Sequence, residues 1–439
     1  MSKWQSNLSG NVTWSRLYRL RSYLRSSLWV VPFIAIPLEI VIARLVHRID
    51  AWLGWQLLGY GMQGAQAILQ AIISSTLAFV VFTFGSILVA IQVASGQLTP
   101  RIIATTLLRD NVVKYTVGLF IFTLLFAISA QDRMDGTVHQ FVMFVAALLG
   151  VSCFLAFLYL IDYAARLLRP ISILAHVARE GLAVINAVYP DPSLELQNTQ
   201  SWRQDADVPG RVAHHEGTSE IVLGVELNAL AALAERSNGI IEVVPQVGDF
   251  VAVDEPLFNL YGGAAAIEDR MLRASVAFGP ERTMEQDPTF SFRIIIDIAL
   301  KALSPAINDP TTAVLAIDQL HRLLRVVGKR NLRTDEILDK SGNMRVFIRT
   351  PNWEDFVSLA FSEIRRCGSN NLQIVRRLRA MIENLVRTLP KHRHQALHQE
   401  LSLLDREIEK HFSNREELAL ARVADSQGLG GHSGLTRQH

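Results

Sequence analysis

Cysteine is scarce in this sequence of 439 residues. There are two, Cys153 and Cys367, and they lie far apart. Two distant cysteines cannot form a disulfide framework or a zinc-binding set, and the pattern fits a reducing cytosol around the C-terminal part. The sequence also lacks a Gly-rich phosphate loop, a His-Glu-x-x-His motif, a Gly-x-Ser-x-Gly motif and a Rossmann fingerprint. The enzyme classes that depend on those motifs are therefore not indicated.

Excess charge is also small. The 43 Lys and Arg residues against 41 Asp and Glu residues give a formal net charge of +2, which does not predict nucleic acid as a partner. Half of the residues are apolar, which is typical of a membrane protein rather than a purely soluble one. The first long apolar stretch follows a basic segment and is not followed by a small-residue cleavage site. We therefore expect a retained membrane helix there, not a cleaved signal peptide.

Four apolar stretches are long enough to cross a bilayer, at 28–46, 67–94, 112–130 and 140–161. Basic residues are concentrated before the first stretch, between the second and third, and after the fourth. Because loops rich in Lys and Arg remain in the cytoplasm, both termini are predicted to be cytoplasmic. The sequence thus predicts a multi-pass protein of a bacterial inner membrane, in contact with the lipid bilayer.

The second apolar stretch carries two stripes of small and polar residues on opposite faces of the predicted helix. Such stripes form close helix contacts in membranes, and they can also face water. One hypothesis is that both stripes pack against protein. The other is that one stripe lines a pore in an oligomer. The first stripe contains Gln70, Ser74, Ala78, Gly85, Gln92 and Gly96, and the candidate pore-lining residues of the second are Thr76, Thr83, Ser86, Ala90 and Gln97.

An acidic residue, Glu39, lies within the first apolar stretch. Intramembrane acids are costly and usually face protein or water. Either Glu39 pairs with Arg44 or a neighbouring helix, or it takes part in transport.

The stretch 282–313 combines charged and hydroxyl side chains with a strongly apolar run. Asp287-Pro288 and Asp309-Pro310 each have the pattern of a helix N-cap followed by proline at the first helical position. They predict a helix over about 289–303, a short break, and a second helix from residue 309. Arg293, Asp297 and Lys301 fall on one face of the first helix because they are spaced four residues apart.

Two roles are open for these polar residues. They can form a ligand pocket in which a helix N-terminus and nearby cations bind an anion. Alternatively, they can form caps and buried ion pairs that fix one helix against another. The candidate ligand-binding residues are Arg282, Asp287, Arg293, Asp297, Lys301, Ser304, Asn308, Asp309, Thr311 and Thr312.

Residues 297–313, Asp-Ile-Ala-Leu-Lys-Ala-Leu-Ser-Pro-Ala-Ile-Asn-Asp-Pro-Thr-Thr-Ala, resemble the signature of a bacterial family of predicted integral membrane proteins of unknown function. Residues 84–101 provide a second matching stretch. The resemblance covers most of residues 20–410. It implies four N-terminal membrane helices followed by a shared cytosolic region, and it implies no activity, substrate or cofactor.

The predicted domain organisation has six parts. A basic cytoplasmic N-terminus at 1–27 precedes a four-helix transmembrane domain at 28–170. A helical lever and linker at 171–210 lead to a small β-rich unit at 211–262, which resembles a biotinyl/lipoyl-type barrel-sandwich domain. A mostly helical cytosolic domain at 263–412 carries the central stretch, and 413–439 is predicted to be a largely disordered tail. The β-rich unit contains no lysine, so no covalent biotin or lipoate and no other cofactor is expected.

Arginines recur between residues 365 and 387, which predicts a solvated basic face or one that meets acidic lipid headgroups. His394 and His398 lie one helical turn apart without a third ligand nearby in sequence, so no metal site is predicted.

The predicted fold class is an α-helical integral membrane protein with an α+β cytosolic domain. Its predicted function is that of an oligomeric channel or transporter-like protein whose cytosolic domain regulates it. The alternatives are a membrane-anchored enzyme that uses the polar cluster at 282–312, without an identified catalytic residue, and a membrane scaffold.

Overall fold

The computed structural model describes residues 14–27, 29–53, 59–97, 110–134, 137–167, 169–192, 208–332 and 336–430. These residues divide into two compact units. One unit contains residues 23–173. The other combines the residues before 23 with those from 174 onward.

Long apolar helices dominate the first half of the chain. A short helix, α1 (Trp14–Ser26), precedes α2 (Val30–Leu53), α3 (Met62–Gln97), α4 (Asn111–Asp132), α5 (Gln140–Leu167) and α6 (Pro170–Val188). Five of these helices, α2 to α6, are long and apolar enough to cross a membrane. The four predicted stretches lie in α2 to α5, apart from the first two residues of the first stretch. Of these, residue 28 is outside the described residues and Trp29 precedes α2. The fifth candidate, α6, lies in the predicted lever apart from its first residue.

Small residues determine how closely the helices of the 23–173 unit pack. A Cβ added at Gly118 would lie 2.7 Å from Val31 Cγ1, and one added at Gly150 would lie 3.0 Å from Ile72 Cγ1. Large side chains fill the wider gaps, as in the stack of Phe79 on Phe157 with ring centroids 4.3 Å apart. The outward faces are apolar, as a bilayer requires, and include Phe33, Val81, Leu88, Leu148 and Phe154.

Carboxylates fix two ends of this helical unit. Asp110 caps α4 by accepting hydrogen bonds from the backbone N–H groups of Val112 and Val113, at 2.8 and 3.2 Å. Asp50, near the end of α2, accepts from the Phe141 N–H at 2.8 Å and lies 2.7 Å from His139 Nδ1. The second carboxylate thereby joins α2 to the start of α5.

The described residues of the other unit form eight strands and further helices. In chain order they are β1 (Arg211–His214), β2 (Glu220–Val225), α7 (Leu227–Ser237), β3 (Gly239–Val243), β4 (Phe250–Val251), β5 (Pro256–Gly262), α8 (Asp269–Ala274), β6 (Val276–Gly279), α9 (Pro288–Ala302), α10 (Pro310–Val327), β7 (Glu336–Leu338), β8 (Met344–Ile348), α11 (Trp353–Gly368), α12 (Leu372–Thr388), α13 (His394–His411) and α14 (Arg415–Ala421).

Two small sheets organise the β-rich part. Five strands pair in the order β1-β5-β3-β8-β7, and three pair in the order β4-β2-β6. All pairs are antiparallel except β3 with β8, where Ile241 pairs with Val346. The sheets therefore extend past the predicted 211–262 boundary, because β6, β7 and β8 follow residue 262. The barrel-sandwich likeness stays a prediction.

Helix α9 lies at the centre of the helical core. Phe292 of α9 is fully buried, and its ring centroid lies 5.2 Å from that of Phe356 on α11. On α6, Gly181 lies so close to α9 that an added Cβ would be 2.7 Å from Ser291 Cβ. Tyr189, just after α6, is also fully buried and packs edge-on against Phe356.

Four of the six arginines of α11 and α12 are buried, which corrects the interpretation of that region as one solvated basic face; Arg366 and Arg387 are exposed. Arg365 is buried and lies 3.2 Å from Glu400 on α13, while Arg377 is buried and lies 2.7 Å from Asp318 on α10. Arg379 pairs with Asp405. The acidic partners lie on other helices, so residue spacing within α11 or α12 could not reveal these ion pairs.

The sequence predicts a largely disordered tail at 413–439, whereas residues 415–430 contain α14 and a packed turn. Arg376 is almost fully buried and donates from Nε to the Val423 carbonyl at 3.0 Å. Asp425 accepts hydrogen bonds from the N–H groups of Gln427, Gly428 and Gly430 at 3.0, 2.9 and 2.8 Å. Burial raises the pKa of Asp425, but these hydrogen bonds outweigh that effect and leave it below its ordinary value.

Candidate functional site

The first part of the 282–313 stretch is a buried cap. Asp287 accepts hydrogen bonds from the N–H groups of Thr289 and Phe290 at 3.0 and 3.1 Å, which confirms the predicted N-cap of α9. Arg282 Nε lies 3.2 Å from Asp287 Oδ2, although the two atoms are not aligned for a hydrogen bond. Burial raises the pKa of Asp287 above its ordinary value, against the opposing effects of Arg282 and the cap.

The middle of α9 carries an ion-pair network. Arg293 donates from Nε to Asp297 Oδ1 at 2.7 Å and from Nη2 to Glu363 Oε2 on α11 at 3.2 Å. The hydrogen bond to Glu363 raises the pKa of Arg293, and the same pairing lowers the pKa of Glu363. These charges join α9 to α11.

The break between α9 and α10 forms the third part. Asp309 accepts from the Thr312 N–H at 3.0 Å, which confirms the second predicted cap. Ser304 donates to the Lys301 carbonyl at 2.7 Å, and Asn308 adopts a left-handed backbone with φ of 48°. Lys301, Asn308 and Thr311 are exposed.

The ten candidate ligand-binding residues thus fall into three groups along the chain rather than one pocket. Helix α9 has 15 residues, which at 1.5 Å per residue separates Asp287 from Lys301 by roughly 20 Å. The first two groups make internal ion pairs, and the third is an exposed turn. The arrangement supports a structural role for the first two groups, while ligand binding at any of the ten residues stays a prediction.

Four of the five candidate pore-lining residues, all except Gln97, lie on the inward face of α3. Thr76 and Thr83 are each 1% exposed, and neither hydroxyl has a hydrogen-bond partner among the described residues. Ser86 donates to the Thr83 carbonyl at 2.9 Å, and Ala90 is buried. The side chain of Gln97 lies outside the described residues. The opposite stripe, Gln70, Ser74, Ala78, Gly85 and Gln92, is exposed on the single chain.

Glu39 is the most unusual polar group of the 23–173 unit. It is 6% exposed and makes no hydrogen bond or ion pair with any described residue. The predicted partner Arg44 points outward and is exposed. Burying a polar group without a partner costs free energy. No contact with the described residues offsets that cost at Glu39, which makes it a candidate functional group within the membrane.

A cavity of about 680 Å³ lies along α10, away from the candidate ligand-binding residues. Four of its lining side chains are cationic, and one, Asp318, is acidic and paired with Arg377. Burial lowers the pKa of His321 in its wall, and the nearby charges of Arg377 and Arg325 lower it further. The cavity therefore has a positive potential. Its lining residues are Pro192, Asp318, His321, Arg322, Arg325, Val326, Lys329 and Arg330.

A family model described as "Predicted membrane protein (DUF2254)" matches residues 25–384. The chain belongs to the DUF2254 family. The match runs from the end of α1 into α12 and confirms the family resemblance inferred from residues 84–101 and 297–313. Membership establishes a membrane protein of a family without an assigned function.

Two mycobacterial proteins are similar to this DUF2254 chain along most of its length. They are the uncharacterized protein Rv1290c of Mycobacterium tuberculosis and the uncharacterized protein Mb1321c of Mycobacterium bovis. Each is 25% identical over 427 residues, which cover 92% of this chain and 81% of the relative. No solved structure matches the chain.

The cationic cavity of the DUF2254 chain was missed from the sequence. Its signal is present, because Arg322, Arg325 and Lys329 recur at helical spacing on the exposed side of α10 while Leu323, Leu324 and Val327 are buried. The spacing alone also fits an ordinary solvated helix face. Only the packing of residues 190–192 beside α10 shows that the face borders a cavity.

Proposed function

We propose that the chain is an oligomeric, transporter-like or channel-like protein of the bacterial inner membrane that moves protons or other monovalent cations, with a cytosolic unit that regulates it. The observation that carries the proposal is Glu39. A buried carboxyl without a partner among the described residues, roughly halfway along a membrane helix, can exchange a proton or coordinate a cation. The 24-residue α2 places it about 14 Å from the start of the helix.

The hydroxyls of Thr76 and Thr83 on α3 support a transport path that includes Glu39, because they too are buried without a hydrogen-bond partner among the described residues. Ala43 of α2 and Ile72 of α3 belong to one apolar cluster, together with residues of α4 and α5. Glu39 lies one helical turn from Ala43, and Thr76 lies one turn from Ile72. Antiparallel spans would place both polar groups on the cytoplasmic side of that cluster. The path would then run within each subunit, along Glu39, Thr76 and Thr83.

A second copy of the chain is the proposed occupant of the exposed α3 stripe. Gln70 and Gln92 lie on this face of a 36-residue apolar helix, and amide side chains are costly against lipid. At Gly85 and Gly96, which belong to this stripe, an added Cβ would meet nothing within 4 Å, so another helix can approach closely. This combination is the common pattern of helix association in membranes.

The membrane topology proposed is four spans, α2 to α5, with both termini in the cytoplasm. Tyr18 of α1 donates to the Leu223 carbonyl of β2 at 3.2 Å, so residues on either side of the spans belong to one compact unit. That unit lies on one side of the membrane only if an even number of helices crosses between them. Because α6 packs by Gly181 and Tyr189 into the core around α9, we assign it to the cytosol.

Native cysteine labelling tests this topology. Cys367 is exposed on α11, whereas Cys153 is buried in α5. We expect a membrane-impermeant maleimide to label Cys367 in inside-out vesicles and to leave it unlabelled in intact spheroplasts. A Cys367→Ser variant gives the background signal. Labelling of Cys367 in intact spheroplasts would contradict the cytoplasmic assignment.

Proteoliposomes test the transport proposal. With a pH-sensitive dye enclosed and a potassium diffusion potential imposed, the wild-type protein is expected to admit protons, and Glu39→Gln to reduce the initial rate at least tenfold. The amide keeps the side-chain volume but cannot exchange a proton. Sodium uptake under the same potential covers the case of a metal cation.

The control variant is Arg44→Gln, which changes an exposed charge on the same helix and should leave the rate unchanged. Equal rates for wild type and Glu39→Gln, or no flux of either ion, would refute the role of Glu39. Native mass spectrometry of the same preparation reports the subunit number, and monomer alone would contradict the oligomeric part.

A further inference from the structure

We propose that the α10 cavity is a binding site for a multi-phosphate anion, held by Arg322, Arg325 and Lys329. This inference goes beyond the transport proposal and does not depend on it. The three side chains are exposed, and none makes a hydrogen bond or ion pair with another described residue. They are therefore available donors at the mouth of a cavity of about 680 Å³.

The cavity wall is held in place by specific contacts. Arg330 donates to the Pro190 carbonyl at 2.8 Å and to Asn186 Oδ1 at 2.6 Å. The Asn331 N–H donates to the Asp191 carbonyl at 2.9 Å. Residues 190–192, which follow α6, are thereby fixed beside the end of α10. The cavity is bounded on this side by backbone that is already hydrogen-bonded.

The inner wall contains a neutral histidine. A guanidinium can only donate, so His321 Nδ1 accepts from Arg377 Nη2 at 3.2 Å. Its other nitrogen, Nε2, then carries the proton and donates to Asn384 Oδ1 at 3.0 Å. Asp318 is engaged by Arg377 at 2.7 Å, so the acid does not neutralise the free cations.

The spacing of the free cations indicates the class of ligand. Residues 322 and 329 are seven positions apart, which is roughly 10 Å along the helix at 1.5 Å per residue. Two or three linked phosphates can contact all three cations along that row, whereas a single phosphate can do so only if the long side chains converge on one point. A cavity of this size also accommodates a nucleotide-sized molecule. The same chemistry is available from a soluble polyphosphate compound and from a phosphorylated lipid headgroup.

Binding to the full-length protein in zwitterionic nanodiscs tests the site, with tripolyphosphate and inorganic phosphate as probes. We expect tripolyphosphate to bind more tightly than phosphate, with an affinity that falls as salt is raised. The triple variant Arg322→Gln/Arg325→Gln/Lys329→Gln is expected to lose at least tenfold in tripolyphosphate affinity. Each change is on an exposed side chain, so the fold should be kept, and circular dichroism and the melting temperature verify this.

A charge-matched control separates a site from general attraction. Arg270, Lys340 and Arg415 are exposed and make no hydrogen bond or ion pair with other described residues. Their triple replacement by Gln removes the same charge and should leave the affinity for tripolyphosphate within about twofold. Equal losses in the two triple variants, or no binding of tripolyphosphate by wild type, would overturn the proposal.

Nanodisc composition distinguishes the two sources of phosphate. If a phosphatidylinositol phosphate in the disc competes with tripolyphosphate in wild type, the site accepts a lipid headgroup. If tripolyphosphate binds equally well in both kinds of disc, the site takes a soluble polyphosphate and not the headgroup. Either result supports the site, provided that the triple variant at residues 322, 325 and 329 abolishes the binding that is observed.

Discussion

Replacing Gly248 by alanine is expected to destabilise the sheet-containing unit by about 2 to 5 kcal/mol, as the sum of two costs. The first is conformational, because Gly248 has φ of 95°, where an L side chain is strained. The second is steric. The added Cβ would lie 2.5 Å from Asp287 Oδ2 and against the guanidinium of Arg282. The turn between β3 and β4 therefore cannot accept a methyl group without displacing the buried pair that caps α9.

Gly342→Ala is the matched control for this prediction. Gly342 has φ of 83°, but a Cβ there would meet nothing within 4 Å. It should show the conformational cost alone, about 1 to 2 kcal/mol. Thermal unfolding of the full-length protein in detergent measures both variants. Equal losses at the two glycines would show that the turn does not press on Arg282 and Asp287.

Gly181→Leu is expected to cost about 3 kcal/mol or more, because overpacking a filled interface forces side chains and backbone apart. Position 181 is on the buried face of α6, and Ser291 opposite it is fully buried on α9. Ala183→Leu adds the same kind of side chain to the exposed side of the same helix and should be nearly neutral. Melting temperatures of the two variants test the expectation.

A compensating pair tests the assignment of the contact itself. The atoms nearest an added Cβ at Gly181 are Oγ and Cβ of Ser291. Gly181→Ala should therefore be less damaging in combination with Ser291→Gly than the sum of the two single changes. Additive losses would mean that α6 does not dock on α9 through this contact. Docking matters because it is the reason for counting α6 as cytosolic rather than as a fifth span.

Local chemistry made part of this structure predictable. The caps at Asp287 and Asp309 involve side chains that bond to backbone two or three residues away, so the sequence contains the complete interaction. The apolar spans were predictable for a similar reason, since length and hydropathy decide them without reference to partners.

Contacts between distant segments were not predictable in this way. Arg377 and Asp318 are 59 residues apart, and β8 joins β3 across about a hundred residues of intervening chain. The α3 stripes show a second limit. Periodicity places Thr76 and Gln70 on opposite faces, but it cannot tell which face meets protein. In the structure the face that carries Thr76 is the buried one.

The contact between Tyr18 and Leu223 has a consequence for biosynthesis. The two residues are 205 positions apart, so at 5 to 20 residues per second the ribosome needs roughly 10 to 40 seconds to supply the second after the first. All of α2 to α5 is made during that interval. Helix α1 therefore cannot contact β2 until after α2 to α5 have been synthesised. The N-terminal helix is made first but docks late in the folding of this unit. A protein fused to the N-terminus would therefore affect the docking of α1 rather than the earlier folding steps.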